Sequence, residues 1–469
     1  MHSNAKTSDA APEASMDGGL LDLDIRSTFT GTKASESGCL FVRGNGQHAG
    51  VNLIDRIARK LRNLHHQVTR QGRHWLARTV YSLPFISAHD PRKRIVRCKD
   101  HCRVVDRFPR SPELVPEDWY LAVRGPEVVY RKRSVGFNKD QVAKFHHALL
   151  KYRQGEEHEI PEVFLACIHD ANISTQDCII MSSNRRVLSE SALSDSGILQ
   201  ANGVLDRIIK PKPKHRFRTG FLLSHPWTRG YYHWILEALP RLSIWESFAQ
   251  LDSIPLVVLN PLSRFQRESL EMAGVLPERV IEFDGSCCEI EQLFFPQILA
   301  PSGNPSPHAV AWLRDRFLKE PSNHKSSSGR RIYLTRRDAS ERRLINEEEV
   351  IRYLLEREFE IICSSELSLA EQVETFRNVE IVIAPHGAGA TNMVFAPSNA
   401  TLIEFFGDNY INGCYWALAN ICGQRHAFLT GPSEWLDYSI ALDDLKALLE
   451  KLECFESGDN ASKVSATPT

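Results

Sequence analysis

Residues 331–406 alternate between short apolar runs and stretches of helical spacing, and that alternation leaves few folds open. "RIYLT" (331–335), "EIICS" (360–364), "EIVIAP" (380–385) and "TLIEFF" (401–406) have the length and β-branched content of buried strands. Between them, Asn346 with Glu349 is expected to form a capping box for a helix carrying Val350, Ile351, Leu354 and Leu355 on one face. Ser368 with Glu371 is expected to cap a second helix, with Leu369, Val373 and Phe376 turned inward. A short third helix follows the glycines at 387 and 389. Repeated strand–helix units predict a doubly wound parallel sheet, a Rossmann-like domain over 331–455.

The upstream half follows the same logic. "IPLVVLN" (254–260) reads as a buried strand, 262–275 as a helix and "RVIEFD" (279–284) as the next strand. Two breaker-rich segments, "PSGNPSP" and "EPSNHKSSSGR", flank a short helix, so 301–330 reads as a linker. The expectation is α/β: two halves, 81–300 and 331–455, with a cleft between them. Residues 1–48 and 456–469 are poor in large apolar residues and are expected to be disordered. Residues 49–80 read as a basic amphipathic helix. Leu53, Ile54, Ile57, Leu61, Leu64 and Val68 form the apolar stripe, and within 51–78 seven basic residues stand against one acidic, Asp55. Such a helix suits an anionic membrane surface, with packing on the chain's own first half as the alternative.

Composition excludes some classes. A net charge of -1 over 469 residues gives no global field for nucleic acid. No apolar run approaches the ~18 residues a spanning helix needs. Eleven scattered cysteines and no visible signal peptide point to free thiols in a reducing, cytoplasmic setting. Cys98, His101 and Cys102 lack a second ligand pair and read as ordinary thiols beside a histidine, so no metal site is expected.

Three features carry chemistry. His386-Gly387-Ala388-Gly389, running on through Ala390 to Asn392, lies where a strand passes into a helix. Ligands of open α/β sheets bind at that edge, glycines let backbone approach them, and free N–H groups at a helix start favour an anion. "TRRDASERRLINEEE" follows strand 331–335 at the same edge and brings Arg336, Arg337, Arg342 and Arg343. Guanidinium groups offer paired donors for phosphate, so turn and loop together predict a diphosphate site; Asp338 and Glu341 as local ion partners are the alternative. In "RGYYHWILEALPRLSIW" (229–245), His233, Glu237 and Arg241 share one helical face, a polar cleft wall, opposite Ile235, Leu239 and Leu242. Pro240 should interrupt that helix.

"YYHWILEALPRL", "RRDASERRLINEEEV" and "IVIAPHGAGATNMVFAPSNATLIEF", in this order, resemble glycosyltransferase family 61, the DUF563 group, over about residues 215–430. The resemblance implies a GT-B fold with two Rossmann-like domains facing a cleft, a nucleotide-sugar donor, a glycan acceptor and inverting transfer. It assigns the arginine loop and the His386–Asn392 turn to the donor domain and the His233–Glu237 helix to the acceptor side. This chain has Gly230 where members often carry Asn. With no leading membrane anchor, it looks most like the bacterial capsular-polysaccharide branch. The mechanism then needs a base, for which Glu237 stands first and His233 second. Arg336, Arg342 and the backbone of Gly387–Gly389 would hold the diphosphate, and Glu404 would accept from the ribose hydroxyls. No resident cofactor is expected, nor a metal where arginines neutralise the leaving group. A nucleotide-sugar epimerase of the same fold, or a non-catalytic nucleotide- or glycan-binding protein, are the competing readings.

Overall fold

The four strands predicted in 331–406 assemble with two that were not, Arg425–Gly431 and Val135–Gly136, into a six-stranded, all-parallel sheet in the order Glu360–Ile362, Arg330–Leu334, Val379–Pro385, Thr401–Gly407, Arg425–Gly431, Val135–Gly136. The structure is a computed structural model, and it describes residues 95–174, 178–191, 213–319 and 329–452. The expected terminal segments 1–48 and 456–469 and the basic helix at 49–80 lie outside the described residues. All described residues fall in one compact unit.

The central strands Val379–Pro385 and Thr401–Gly407 are buried at every residue but Glu380, as parallel strands covered on both faces should be. Helix Leu369–Arg377 begins with the expected capping box of Ser368 and Glu371 and buries Leu369, Val373 and Phe376. Helix Glu347–Leu355 buries Val350 and Leu354, whereas Leu355 is exposed. Its capping box does not form. The Asn346 amide donates to Glu349 Oε2 and to the Ile440 carbonyl, so it ties the helix start to a loop distant in sequence instead of to its own backbone.

The second sheet is mixed and has ten strands. Its parallel part runs Cys288–Pro296, His215–Leu222, Leu256–Leu259, Val280–Phe283, and the long strand Val163–Ser174 pairs antiparallel with Cys288–Pro296. The expected strand–helix–strand unit is present, its helix Arg264–Met272 started by a Ser263–Gln266 capping box. One apolar core joins the facing sides of both sheets, with Leu223, Trp234 and Leu256 on one side and Leu334, Val382 and Leu402 on the other.

Two stretches depart from the sequence reading. Helix Pro307–Phe317, inside the supposed linker, buries Ala309, Val310, Leu313 and Phe317 in that shared core. Arg314 Nη1 donates to the Val394 and Ala396 carbonyls, so this helix is a strut between sheets. The other is strand Val135–Gly136, which leaves the first half to close the edge of the six-stranded sheet. Helix Lys139–Leu149 follows it and stacks Phe145 on Phe428 at 4.2 Å.

Candidate functional site at two switch points

In a doubly wound sheet, crossovers on opposite sides of one strand leave a crevice where the winding reverses. The six-stranded sheet reverses between Arg330–Leu334 and Val379–Pro385, and the segments leaving those strands are the arginine loop and the glycine turn. A pocket of about 320 Å³ opens there, lined by Thr335, Arg336, Gly387 and Gly389 on this sheet and by Tyr231, Phe265 and Glu268 from the other. Ala388 and Ala390 complete the wall.

The glycines answer to close packing. A Cβ on Gly387 would lie 1.7 Å from Arg336 Nη1, so the guanidinium rests directly on the backbone of the turn. One on Gly389 would lie 3.0 Å from Ser364 Oγ. Both glycines stand at the entry to the 3₁₀ helix Ala388–Phe395, whose first N–H groups have no intrahelical acceptor.

The four arginines divide into two kinds. Arg337 pairs with Glu366 at 2.5 Å and Arg343 with Asp437 at 3.4 Å. Arg336 and Arg342 have no carboxylate partner among the described residues. Arg336 Nη2 donates only to the Glu341 carbonyl at 3.1 Å, and its Nε is buried without a partner. Arg342, in the left-handed region at φ 58°, lies over the Tyr410 ring at 5.2 Å. Burial and the neighbouring charge of Arg342 both push the Arg336 guanidinium below its ordinary value. Glu347 positions the loop by accepting from Tyr333 Oη and Thr335 Oγ1, both at 2.9 Å.

His386 lies between two residues of the pocket lining, Pro385 and Gly387, and its Nδ1 enters a buried polar chain. Its Nδ1 meets Glu404 Oε1 at 2.5 Å, His426 Nε2 meets Glu404 Oε2 at 3.0 Å, and Ser134 Oγ meets His426 Nδ1 at 2.7 Å. Burial drives the Glu404 carboxyl well above its ordinary value, which Arg342 offsets only in part, and drives His426 down to about 3. Burial, with Arg342 and Arg336, also holds His386 well below its ordinary value. The expected ribose role for Glu404 does not fit this placement, because both its oxygens are engaged and it is fully buried.

The mixed sheet reverses between His215–Leu222 and Cys288–Pro296, and a second centre stands at that point. Segment 231–245 is helical but broken: α-helical at Tyr231–His233, one π turn over Trp234–Ala238, then 3₁₀ at Leu239–Arg241 around Pro240. Single π turns recur at functional sites. His233 Nδ1 donates to Glu237 Oε2 at 2.8 Å, while Ser302 Oγ and Gly303 N donate to Oε1 at 2.7 and 3.0 Å. His225 Nε2 lies 3.5 Å from Oε2. Burial alone would raise Glu237, but the His233 hydrogen bond and the charges of His233 and His225 outweigh it and hold the carboxyl below its usual value. The His233 side chain keeps 30% exposure against 6% for Glu237, and no described residue hydrogen-bonds its Nε2. Rings connect the centres: His233 to Tyr232 at 5.3 Å, Tyr232 to Tyr415 at 5.7 Å, Tyr415 to His386 at 5.3 Å.

Two expected site residues have structural jobs instead. The π turn adds a residue to the helical repeat, so Arg241 leaves the His233–Glu237 face. It is fully buried, and its Nη1 donates to the carbonyls of Leu223 and Ser224 at the strand end. Asn392 is buried between Tyr231 Oη, which donates to its Oδ1 at 2.6 Å, and Gln372 Oε1, to which it donates at 2.7 Å. Cys98 and Cys102 are buried and His101 pairs with Asp118 at 2.8 Å. Among the described residues no group of three or more ligating side chains is placed to hold a metal ion.

Several site residues escaped the sequence reading. Ser302 and Gly303 sit in the segment taken as linker, His225 at the start of a turn, Ser134 just ahead of strand Val135–Gly136 and His426 in strand Arg425–Gly431, both remote from any motif. The run "SHPWTRGYYH" did place two histidines close together, a usable signal for His225. No curated protein matches the chain. Residues 231–403 match the family model described as Glycosyltransferase 61. The matched stretch holds His233, Glu237, Ser302, Arg336, Arg342 and His386, and the match supports glycosyltransferase family 61 for this region of the chain.

Proposed function

We propose that this glycosyltransferase moves a sugar from a nucleoside-diphosphate sugar to a glycan hydroxyl with inversion, in a GT-B arrangement with the donor on the six-stranded sheet. The observation that carries the reading is the pair Arg336 and Arg342. Arg336 rests on the Gly387 backbone and feels the charge of Arg342, and neither cation has a carboxylate partner among the described residues. Such an arrangement is unfavourable until an anion arrives. A diphosphate in the pocket neutralises both and accepts from the N–H groups at the start of Ala388–Phe395.

His233 acts as the base and Glu237 holds it. With Nδ1–H donated to Glu237, the Nε2 lone pair faces the cleft and takes the acceptor proton as the hydroxyl oxygen attacks the anomeric carbon. Glu237, first choice on sequence, already has four donors or close cations around it and little exposure. The arginines then take the charge of the departing diphosphate, with no metal required. The acceptor is a cell-surface polysaccharide of the capsular kind, by resemblance. None of the nine cysteines among the described residues forms a disulfide and eight of them are buried, which fits a cytoplasmic setting. No described helix is long and apolar enough to cross a membrane; docking through residues 51–78 is a separate proposal, tested by vesicle co-sedimentation.

Thermal shift with UDP, GDP and CDP and their sugars tests the donor reading, since a ligand of the folded state raises stability with its concentration. Stabilisation by one nucleotide series, lost in Arg336→Ala, is expected. No shift with any nucleotide would overturn it.

A further inference from the structure

We propose that Glu404, His426 and Ser134 are positioning residues that make His386 a chargeable ligand of the leaving diphosphate: a proton shared between Glu404 Oε1 and His386 Nδ1 moves onto the imidazole as negative charge gathers on the phosphate. This rests on the donor reading above.

In the proposed arrangement Ser134 Oγ–H donates to His426 Nδ1 at 2.7 Å and not to the His426 carbonyl, which lies farther off at 3.2 Å, so His426 carries its proton on Nε2 and donates to Glu404 Oε2. Glu404 Oε1 is left facing His386 Nδ1 at 2.5 Å. All four residues are at most 5% exposed, and Ser134 comes from the strand edge contributed by the chain's first half. An ionised carboxylate buried this deeply is costly unless paired. A single proton between Oε1 and Nδ1 makes the pair neutral, in keeping with the directions in which burial moves both groups. The His386 Nε2 then bears an N–H, and no described residue accepts from it.

The charged groups facing His386 are Arg336 and Arg342 from the arginine loop and His426 from the neighbouring strand; Tyr410, Tyr415 and Phe406 pack on its ring. The two arginines oppose a third positive charge on His386. When phosphate neutralises them, the same proton is better placed on the imidazole, where it faces the anion while Glu404 becomes the carboxylate behind it. The bond from Oε1 to hydrogen breaks, the bond from Nδ1 to hydrogen forms, and no proton is exchanged with solvent. The charge appears as the sugar–phosphate bond breaks, so it favours the transition state over the bound donor.

Glu404→Gln separates this from a structural role. Its amide oxygen still accepts from His426 and its NH2 still donates to His386 Nδ1, so the Nε2–H survives, but no proton can be passed. Calorimetry on the full chain compares the nucleoside diphosphate selected by thermal shift with its own nucleotide-sugar, which carries less negative charge. The wild type should prefer the free diphosphate, and Glu404→Gln should lower that preference about tenfold with nucleotide-sugar affinity kept. Equal weakening of both ligands, or an unchanged ratio, overturns the proposal. The wild type alone gives a second reading if the variant fails to fold. Imidazole ¹⁵N resonances of His386, assigned by their loss in His386→Gln, should change from one N–H to two on adding the diphosphate. A ring that keeps a single N–H while the diphosphate is bound overturns it equally. Failure of the wild type to bind any nucleotide is a different result, and rejects the donor reading itself.

Discussion

The two switch points hold centres built from the same parts. Glu237 lies between His233 and His225 with Ser302 beside it; Glu404 lies between His386 and His426 with Ser134 behind. Their carboxyls move in opposite directions: Glu237 is held below its ordinary value and Glu404 far above. The difference lies in what else reaches the oxygens. Glu237 receives a hydroxyl and a backbone N–H and is backed by a histidine that keeps contact with solvent. Glu404 has only two buried imidazoles, both held neutral, and no exposure. Composition of a cluster therefore does not decide its chemistry; the number of donors and the access to water do. Where two carboxyls are pushed apart like this, one serves base chemistry and the other can keep a proton.

The largest effect that could break this contrast is at the solvent-facing imidazole. His233→Ala should lower turnover by about 10²- to 10⁴-fold, the usual contribution of a positioned base, with nucleotide affinity unchanged. Steady-state kinetics and calorimetry on the same preparation check it, and a parallel loss of nucleotide affinity would merge the two centres into one.

Arg336→Ala should weaken diphosphate binding by about tenfold to a hundredfold, the worth of one or two charge-assisted hydrogen bonds. Arg337→Ala, whose side chain is 60% exposed and paired with Glu366, should leave it unchanged. Titration calorimetry of both variants tests whether the division among the four arginines is functional.

A smaller effect concerns stability. Burial raises the folded Glu404 carboxyl well above its ordinary value, so with the proton placed as proposed, folding takes up a proton at neutral pH and stability falls as pH rises. Below about pH 6.5 the buried histidines, which lose protons on folding, oppose that trend. The Glu404 slope should therefore stand clear above that point. Melting temperatures should decline from pH 6.5 to 8 in the wild type and less steeply in Glu404→Gln. The same slope in both proteins would show that Glu404 is ionised after all.

Much of this molecule could be read from its residues. Parallel strands buried on both faces are near-continuous apolar runs, so 331–406 declared its strands, and Ser368 with Glu371 declared a helix start. The sharing of an edge by the arginine loop and the glycine turn followed from strand order. Which arginines remain unpaired did not follow, because the partners of Arg337 and Arg343 are Glu366 and Asp437, distant in sequence and brought near only by the fold. Pro240 announced a break in its helix, but not the π turn ahead of it that carries Arg241 into the core. Glu404 looked like a strand-end carboxylate, since the histidine that engages its second oxygen arrives from a neighbouring parallel strand. Ser302 was hidden in a stretch whose prolines and glycine read as a tether.

The edge strand Val135–Gly136 also bears on how the chain is made. It pairs with Arg425–Gly431, almost three hundred positions later, so during synthesis it waits unpaired until the last strand of its sheet has emerged. Until then that strand's own flank is an open template for another chain. We expect a fragment beginning after residue 150 to keep the matched family region and yet associate through this flank. Light scattering of residues 213–469 beside the full chain measures it, and a monodisperse fragment of monomer mass would show that the two-residue strand is dispensable.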